Sequence, residues 1–255
     1  MLGYLAVAIS AFLASLMSFF SGFGLGTILM PVIAIFFPLP IAISLTAITH
    51  LFHNLLKTSL LWRMINWTIA IRFGVTALAA SIPGALLLKK LSEFAPIKEY
   101  SFWEIRGEIS ILHICVGLLL ILFASTEAIP HKMYRIKNLF IGGAISGFFG
   151  GLSGNQGALR SVFLINTNLD KSAFIGTNAI IAVVVDVARL VVYSLSFSNL
   201  FTGSNLPLLS TAVICAIGGV LLGMALLKKI TMEFIQKIII ALLYLLGTLL
   251  ILGII

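Results

Sequence analysis

The sequence predicts an all-α integral membrane protein made of two homologous helical repeats, inverted relative to each other, with glycine-broken half-helices around a central cavity. Three observations lead there. Of the 255 residues, 60% are hydrophobic and only 9% charged, whereas soluble domains carry roughly one quarter charged residues. Apolar runs follow one another from end to end, several reaching the roughly 20 residues that a helix needs to cross a hydrocarbon core of about 30 Å. The order of runs and breaks then restarts halfway along the chain. No soluble domain of any size fits between the runs.

Residues 2–20 have the hydrophobicity of a signal peptide, but no positive residue precedes them and no clear small-residue cleavage site follows, so they are read as the first membrane segment. A short run, 27–37, comes next, then 42–62, 68–88 and 109–124. The second half offers two short runs, 139–149 and 158–165, followed by 172–193, 206–227 and 235–255. All are expected to be helices. Lipid offers an isolated strand no partner for its backbone, and the runs are too long and too uniformly apolar for barrel strands.

The restart has the form of an internal duplication. Phe19-Phe20-Ser21-Gly22-Phe23-Gly24-Leu25-Gly26 leads into a short run in the first half, and Phe148-Phe149-Gly150-Gly151-Leu152-Ser153-Gly154 does so in the second. Ala42 to Thr46 matches Ala173 to Thr177, and the segment 84–91 (GALLLKKL) matches 223–230 (GMALLKKI) with the paired lysines in register. Three matches in the same order divide the chain into residues 1–124 as one repeat, 125–138 as a charged connecting loop and 139–255 as the other. Residues 92–108, with Glu93, Lys98, Glu99, Glu104, Arg106 and Glu108, have no counterpart and read as a solvated loop with an amphipathic interfacial stretch.

Topology follows from the short runs. If 2–37 and 139–165 each fold as a hairpin returning to its own side, each half crosses an odd number of times and the halves are inverted. Arg63, Lys132, Arg135, Lys137, Lys171, Lys228, Lys229 and Lys237 then gather on the cytoplasmic side of the cell's inner (plasma) membrane, with 92–108 outside. Eight full crossings would instead make the repeats parallel.

The net charge of +8 comes from 16 Lys and Arg that fall mostly at the ends of apolar runs. That is loop and interface charge, not a nucleic-acid patch. Cys115 and Cys215 lie inside apolar runs without CxxC or Cys/His spacing, and act as small hydrophobes. Neither a cofactor nor a metal is expected. Hydrolase chemistry lacks a GxSxG, an HExxH or an acid cluster, so no catalytic residue is assigned, and the string Gly142-Gly143-Ala144-Ile145-Ser146-Gly147 lacks the βαβ context of a dinucleotide loop.

Candidate site residues come from the breaks and from two polar stripes. Glycines cost helix stability, so the clusters at 22–26 and 150–157 require a reason. Backbone that leaves a helix at membrane depth is buried in protein or lines a wet cavity, and the N-termini of discontinuous helices favour anions. The alternative is that these glycines only let helices pack closely. Gly22, Gly24 and Gly26 mark the first break, and Gly154, Asn155, Gln156 and Arg160 the second, whose amides and guanidinium go beyond packing. Thr46, His50, His53, Asn54 and Lys57 share one helix face, and Thr177, Asn178, Asp186 and Arg189 belong to the stripe of the partner helix, with Asp186 and Arg189 as a self-neutralising i, i+3 pair. A central Lys, Arg or Asp costs about 2.5–3.5 kcal/mol to insert, so facing stripes imply a protein-lined or hydrated interior. Lys57 and Arg189 lie near their helix ends, where snorkelling to the interface is the competing account. For Arg160 the competing account is a strut to Asp186 or Asp170.

Taken together, Gly22-Phe23-Gly24-Leu25-Gly26-Thr27-Ile28-Leu29-Met30-Pro31 followed by Ala42-Ile43-Ser44-Leu45-Thr46, and the echo Gly151-Leu152-Ser153-Gly154 followed by Ala173-Phe174-Ile175-Gly176-Thr177-Asn178, resemble the sulfite exporter TauE/SafE family of membrane permeases over nearly the whole chain. The sequence departs from the usual pattern at Gly154-Asn155-Gln156-Gly157-Ala158, which is polar where the family tends to glycine, and Pro31 is answered by Ser161 or Arg160.

The resemblance implies a secondary carrier of a small sulfur-containing or organic anion such as sulfite, thiosulfate, sulfoacetate or a related sulfonate. Net positive charge and the scarcity of buried acids besides Asp186 agree with that sign, since a metal cation wants carboxylate and carbonyl ligands. The expected partners are the anionic solute and the lipid bilayer. A coupling proton or ion and a homo-oligomer stay open, as do a proton-coupled cation carrier or channel using His50, His53 and Asp186, a membrane enzyme, and a non-transporting assembly factor.

Overall fold

The computed structural model describes residues 2–21, 24–102, 105–128, 138–197, 205–226 and 232–255. In chain order the elements are α1 (Leu2–Ser21), α2 (Leu25–Ala34), α3 (Leu39–Leu60), α4 (Trp67–Ser92), β1 (Lys98–Phe102), β2 (Ile105–Ile109), α5 (Ile111–Ala128), α6 (Leu139–Ser153), α7 (Gly157–Leu164), α8 (Lys171–Ser196), α9 (Leu206–Ala225) and α10 (Met232–Ile251). Five helical stretches, Gly3–Phe20, Leu39–Leu60, Trp67–Ser92, Lys171–Ser196 and Leu206–Ala225, are long and apolar enough to cross a bilayer. The all-α membrane architecture is as expected. Each half repeats one order: a helix, a short helix after a break, then three more.

Local chemistry sets the helix ends. Asn66, Asn138 and Asp170 cap α4, α6 and α8 by accepting from Ile69 N at 3.1 Å, Phe140 N at 3.0 Å and Ala173 N at 2.7 Å. Pro40 and Pro207 stand in the first turns of α3 and α9, where a fixed φ costs nothing. The two short helices are set apart by left-handed glycines: Gly24 (φ +115°) precedes α2, and Gly154 (φ +78°) ends α6.

Glycine also sets the packing. Along α6, a Cβ at Gly143, Gly147 or Gly151 would collide with the backbone of α4 at Phe73, Ala77 and Ser81 respectively, so the two helices touch main chain to main chain. Gly150 and Gly151, expected in the second break, therefore lie inside α6, and Gly151 serves this seam; the break itself is Gly154 to Gln156. Rising residue numbers match along this seam, so α4 and α6 run parallel. The same holds for α1 and α9, where Phe12 lies against Gly219 and Phe19 against Gly223.

Two further inter-half pairs run the opposite way. In α5 and α10, Gly117 meets Gly247 and Ile251 while Ser125 bonds to Tyr244 at 3.0 Å. In α3 and α8, His50 meets Asp186 while Leu61, just past α3, meets Gly176. The ring of Phe36 packs against Gly3, so the turn after α2 returns to the start of α1, as expected of a hairpin. Arg63 follows α3 and Lys171 opens α8, and the Leu61–Gly176 contact puts both at one end of the bundle. Lys132, Arg135, Lys137, Lys228 and Lys229 lie outside the described residues.

Within residues 92–108 an antiparallel hairpin replaces the expected loop, β1 pairing with β2 from Lys98↔Ile109 to Phe102↔Ile105. The Tyr100 ring stacks over Gly107, which leaves no room for a Cβ there, and Tyr100 Oη donates to Leu252 O at 2.6 Å. Glu108 N donates to Gly253 O at 2.9 Å. This tie to the segment after α10 supplies the pairing that a lone two-strand ribbon lacks. A cavity of about 520 Å³ lies where the hairpin, the α2–α3 turn and α5 meet, its lining including Phe36, Pro38, Ser92, Glu108 and His113.

Candidate functional site

The polar face of α3 and that of α8 meet in the middle of the bundle, and every charged group on them is buried. His50 Nδ1 donates to Asp186 Oδ2 at 2.7 Å. Asp186 Oδ1 accepts from Arg189 Nε at 3.0 Å and Nη2 at 2.7 Å. Gln156, at the α6–α7 break, adds a longer bond from Nε2 to the same oxygen at 3.4 Å. A lone carboxylate here would be costly; the Arg189 guanidinium pairs it, and the His50 and Gln156 side chains add donors. Asn54 donates to the His50 carbonyl at 2.8 Å and lies against its ring.

Arg160, one turn into α7, is 1% exposed. Its Nε donates to Asn178 Oδ1, two turns along α8 from Asp186. The strut to Asp170 is not made, since Asp170 caps α8, and Asp186 is bonded to His50, Arg189 and Gln156 instead. Arg160 Nη1 has no hydrogen-bond partner among the described residues, and neither have Arg189 Nη1, Asn155 Nδ2, Asn178 Nδ2 and Thr46 Oγ1, all buried. Asn155 Oδ1 and Gln156 Oε1 are unpaired acceptors at the same break; buried polar atoms are nearly always paired, so this set, in which the Arg160, Arg189, Asn155 and Asn178 donors predominate, points to something it binds.

The two breaks touch. A Cβ on Gly26 would stand 3.1 Å from the Gly154 carbonyl oxygen and 3.5 Å from Asn155 Oδ1, and one on Gly154 would strike Arg189 Nη1. Glycine at 154 is required for the second break and the Arg189 guanidinium to share this space, and glycine at 26 lets the first break press against it closely. Gly24 supplies the left-handed turn before α2, and Gly22 lies outside the described residues.

Thr177 belongs elsewhere: its hydroxyl accepts from Asn66 N at 2.9 Å and fixes the entry to α4. It shares no bond with the network around Asp186, about 13 Å along the helix by rise per residue.

Lys57 and Arg189 do not snorkel, being each 1% exposed. Lys57 Nζ donates to the Ser18 carbonyl at 3.2 Å and stands 5.7 Å from the centre of the Phe19 ring. It neutralises the carbonyl end of α1 just before the first break, where a cation is favoured. Tyr193 has the matching place in the second half, donating through Oη to Gly151 O at the end of α6. The sequence reading passed over Tyr193, although its spacing of four from Arg189 puts it on the same face. It also passed over Ser15, bonded to His53 Nδ1 at 2.8 Å, for which a lone serine in an apolar run gives no signal.

The buried charges are unbalanced. Two guanidiniums, Arg160 and Arg189, stand buried against the single carboxylate of Asp186, with the Lys57 amine a further buried base. Such an excess in a low-dielectric interior favours an anion and opposes a cation. The cavity near Phe36 is separated from the breaks by α2, whose 10 residues span about 15 Å.

The model of one protein family, Sulfite exporter TauE/SafE, matches residues 7–250. No curated protein and no solved structure matches the chain.

Proposed function

Because the chain belongs to the sulfite exporter TauE/SafE family of membrane transporters, we propose that it is a secondary carrier, in the cell's inner (plasma) membrane, of a small sulfur-containing anion such as sulfite, thiosulfate or a sulfonate. The observation that carries the reading is the pair of buried guanidiniums, Arg160 and Arg189, each with an unpartnered Nη1 beside the α6–α7 break. A planar fork of N–H donors suits the oxygens of such an anion, and the backbone around the break adds donors of the right polarity. The proposed ligand set is Arg160, Arg189, Asn155, Gln156 and Asn178, with Thr46, His50, Asn54 and Asp186 shaping the site from α3 and α8. Gly24, Gly26 and Gly154 allow the close approach.

Alternating access is supported by two features. The site residues are buried from both ends of the bundle, so they stand in a closed form that must open to load and release. The parallel pairs α1/α9 and α4/α6 and the antiparallel pairs α3/α8 and α5/α10 are what an exchange of the two halves about an axis in the membrane plane would produce. On that basis residues 1–124 and 139–255 are inverted repeats that rock against each other around the anion.

The test is thiosulfate and sulfite counterflow in liposomes containing only this protein. Arg160→Gln is expected to weaken apparent affinity roughly 10- to 100-fold, the worth of a charge-assisted hydrogen bond. Arg160→Lys is expected to fall between it and the wild type. Unchanged transport in both variants at matched protein levels removes Arg160 from the site, and no counterflow by the wild type rejects the carrier reading.

A further inference from the structure

The anion site leaves two buried groups of the α3 stripe unused: Lys57, which is held by the Ser18 carbonyl, and His53, whose surroundings define its protonation. Ser15 Oγ donates its only proton to the Ala216 carbonyl at 2.5 Å. Towards His53 Nδ1, 2.8 Å away, that hydroxyl can therefore only accept. The network thus assigns the proton of the neutral ring to Nδ1 and leaves Nε2 as a bare lone pair. Nε2 is buried and has no partner among the described residues. Nε2 is therefore the ring nitrogen at which His53 can take up a proton.

The neighbours determine when a proton can stay. On its own helix His53 stacks on His50, ring centres 6.2 Å apart, and has Lys57 one turn on. Through His50 it is linked to Asp186 and Arg189 of α8, and Arg160 of α7 acts on that same imidazole. From α1 it meets Ser15, and from α9 the Ala216 carbonyl, with the Cys215 thiol the adjacent titratable group. A proton on Nε2 adds positive charge to a cluster in which Arg160 and Arg189 already outnumber Asp186. An anion at the α6–α7 break offsets that charge.

We propose that His53 binds a coupling proton at Nε2 together with the anion, which makes the carrier an anion–proton symporter. The inference rests on the reading of the break as an anion site. Linkage is reciprocal: an anion that makes the proton easier to bind is itself bound more tightly when the proton is present. Anion affinity therefore rises as pH falls, and both ligands cross in the same direction.

The experiment uses the whole protein in liposomes loaded with a trapped pH-sensitive dye, with thiosulfate as the probe because it has no titrating proton near neutral pH. Exchange of labelled for unlabelled thiosulfate without a pH gradient tests the anion reading alone, and its absence in the wild type overturns that reading and this inference with it. With an acidic exterior, the wild type is expected to acidify the lumen by about one proton per thiosulfate entering, and His53→Gln by almost none. The ratio separates coupling from damage, since a merely structural defect lowers both fluxes together and leaves it unchanged. Thiosulfate entry without acidification in the wild type overturns the proposal even if the variant does not fold, and an unaltered ratio in His53→Gln overturns it as well.

Discussion

The two helix breaks are made with the same backbone device and filled with opposite chemistry. Each has a left-handed glycine at its turn, Gly24 or Gly154, followed by a short helix. In the first, the polar groups of the described residues are satisfied locally: Thr27 Oγ1 donates to Gly24 O at 2.9 Å, and Lys57 holds the Ser18 carbonyl. In the second, Tyr193 holds the Gly151 carbonyl at the end of α6, but Arg160, Arg189, Asn155 and Asn178 keep donors without partners. On the proposed reading both breaks keep the shape of the fold and only the second binds. The first break then acts as a smooth wall that closes on the second through Gly26.

The comparison is tested most severely at Asp186. Ala42 and Ala173 open the matched segments 131 positions apart, which makes Leu55 the counterpart of Asp186. Leu55 is exposed towards lipid while Asp186 is buried between His50 and Arg189. Asp186→Asn leaves buried cations without their counter-ion, and removal of one partner of a buried pair costs about 3–5 kcal/mol. Leu55→Ala is expected to stay within about 0.5 kcal/mol, as surface substitutions do. Apparent melting temperatures in one detergent check this. A similar fall for both would mean that the halves share their load equally.

The fold was legible because its signal is physical and long-range in sequence: apolar length sets helices in lipid, and the order of runs and breaks reappears as the order of helices. The polar stripes were legible too, since spacings of three and four put His50 and Asn54 on one face and Asp186 and Arg189 on another, and these faces do meet. Contacts that depend on three-dimensional neighbours were not. Nothing in the local sequence distinguishes Gly151, packed on α4, from Gly154, which makes the break. Thr177 matches Thr46 by repeat, yet its hydroxyl is spent on Asn66. Lys57 looked able to reach the interface, and instead turns inward because the carbonyl end of α1 stands there. The hairpin at Lys98–Phe102 and Ile105–Ile109 escaped notice because its support, the backbone at Leu252 and Gly253, lies at the far end of the chain.

An intermediate effect separates shape from binding. Gly24→Ala and Gly154→Ala both force a side chain into a left-handed or rarer backbone region, which costs about 1–3 kcal/mol. At Gly24 the new methyl group stands 3.1 Å from the end of the Ile239 side chain, which can move; at Gly154 it strikes the Arg189 guanidinium. The expected result is a comparable loss of melting temperature in the two variants, with the thiosulfate-induced rise in melting temperature surviving in Gly24→Ala and lost in Gly154→Ala. Loss of the ligand-induced rise in both would make the first break a binding element.

The smallest effect examines the first break directly. Thr27 is the sole hydroxyl in α2, it is buried, and its proton is committed to Gly24 O. Thr27→Val keeps the shape and removes that bond, which should cost about 1 kcal/mol of stability. If the hydroxyl only closes the turn, thiosulfate affinity stays at the wild-type value, because no donor aimed at the anion has been removed. If the first break also holds the anion in another stage of the cycle, as an exchange of roles between inverted halves would require, Thr27→Val weakens binding several-fold while stability falls by no more. Titration of thiosulfate against both proteins at one pH decides between a bundle with one binding half and one in which the two breaks take turns.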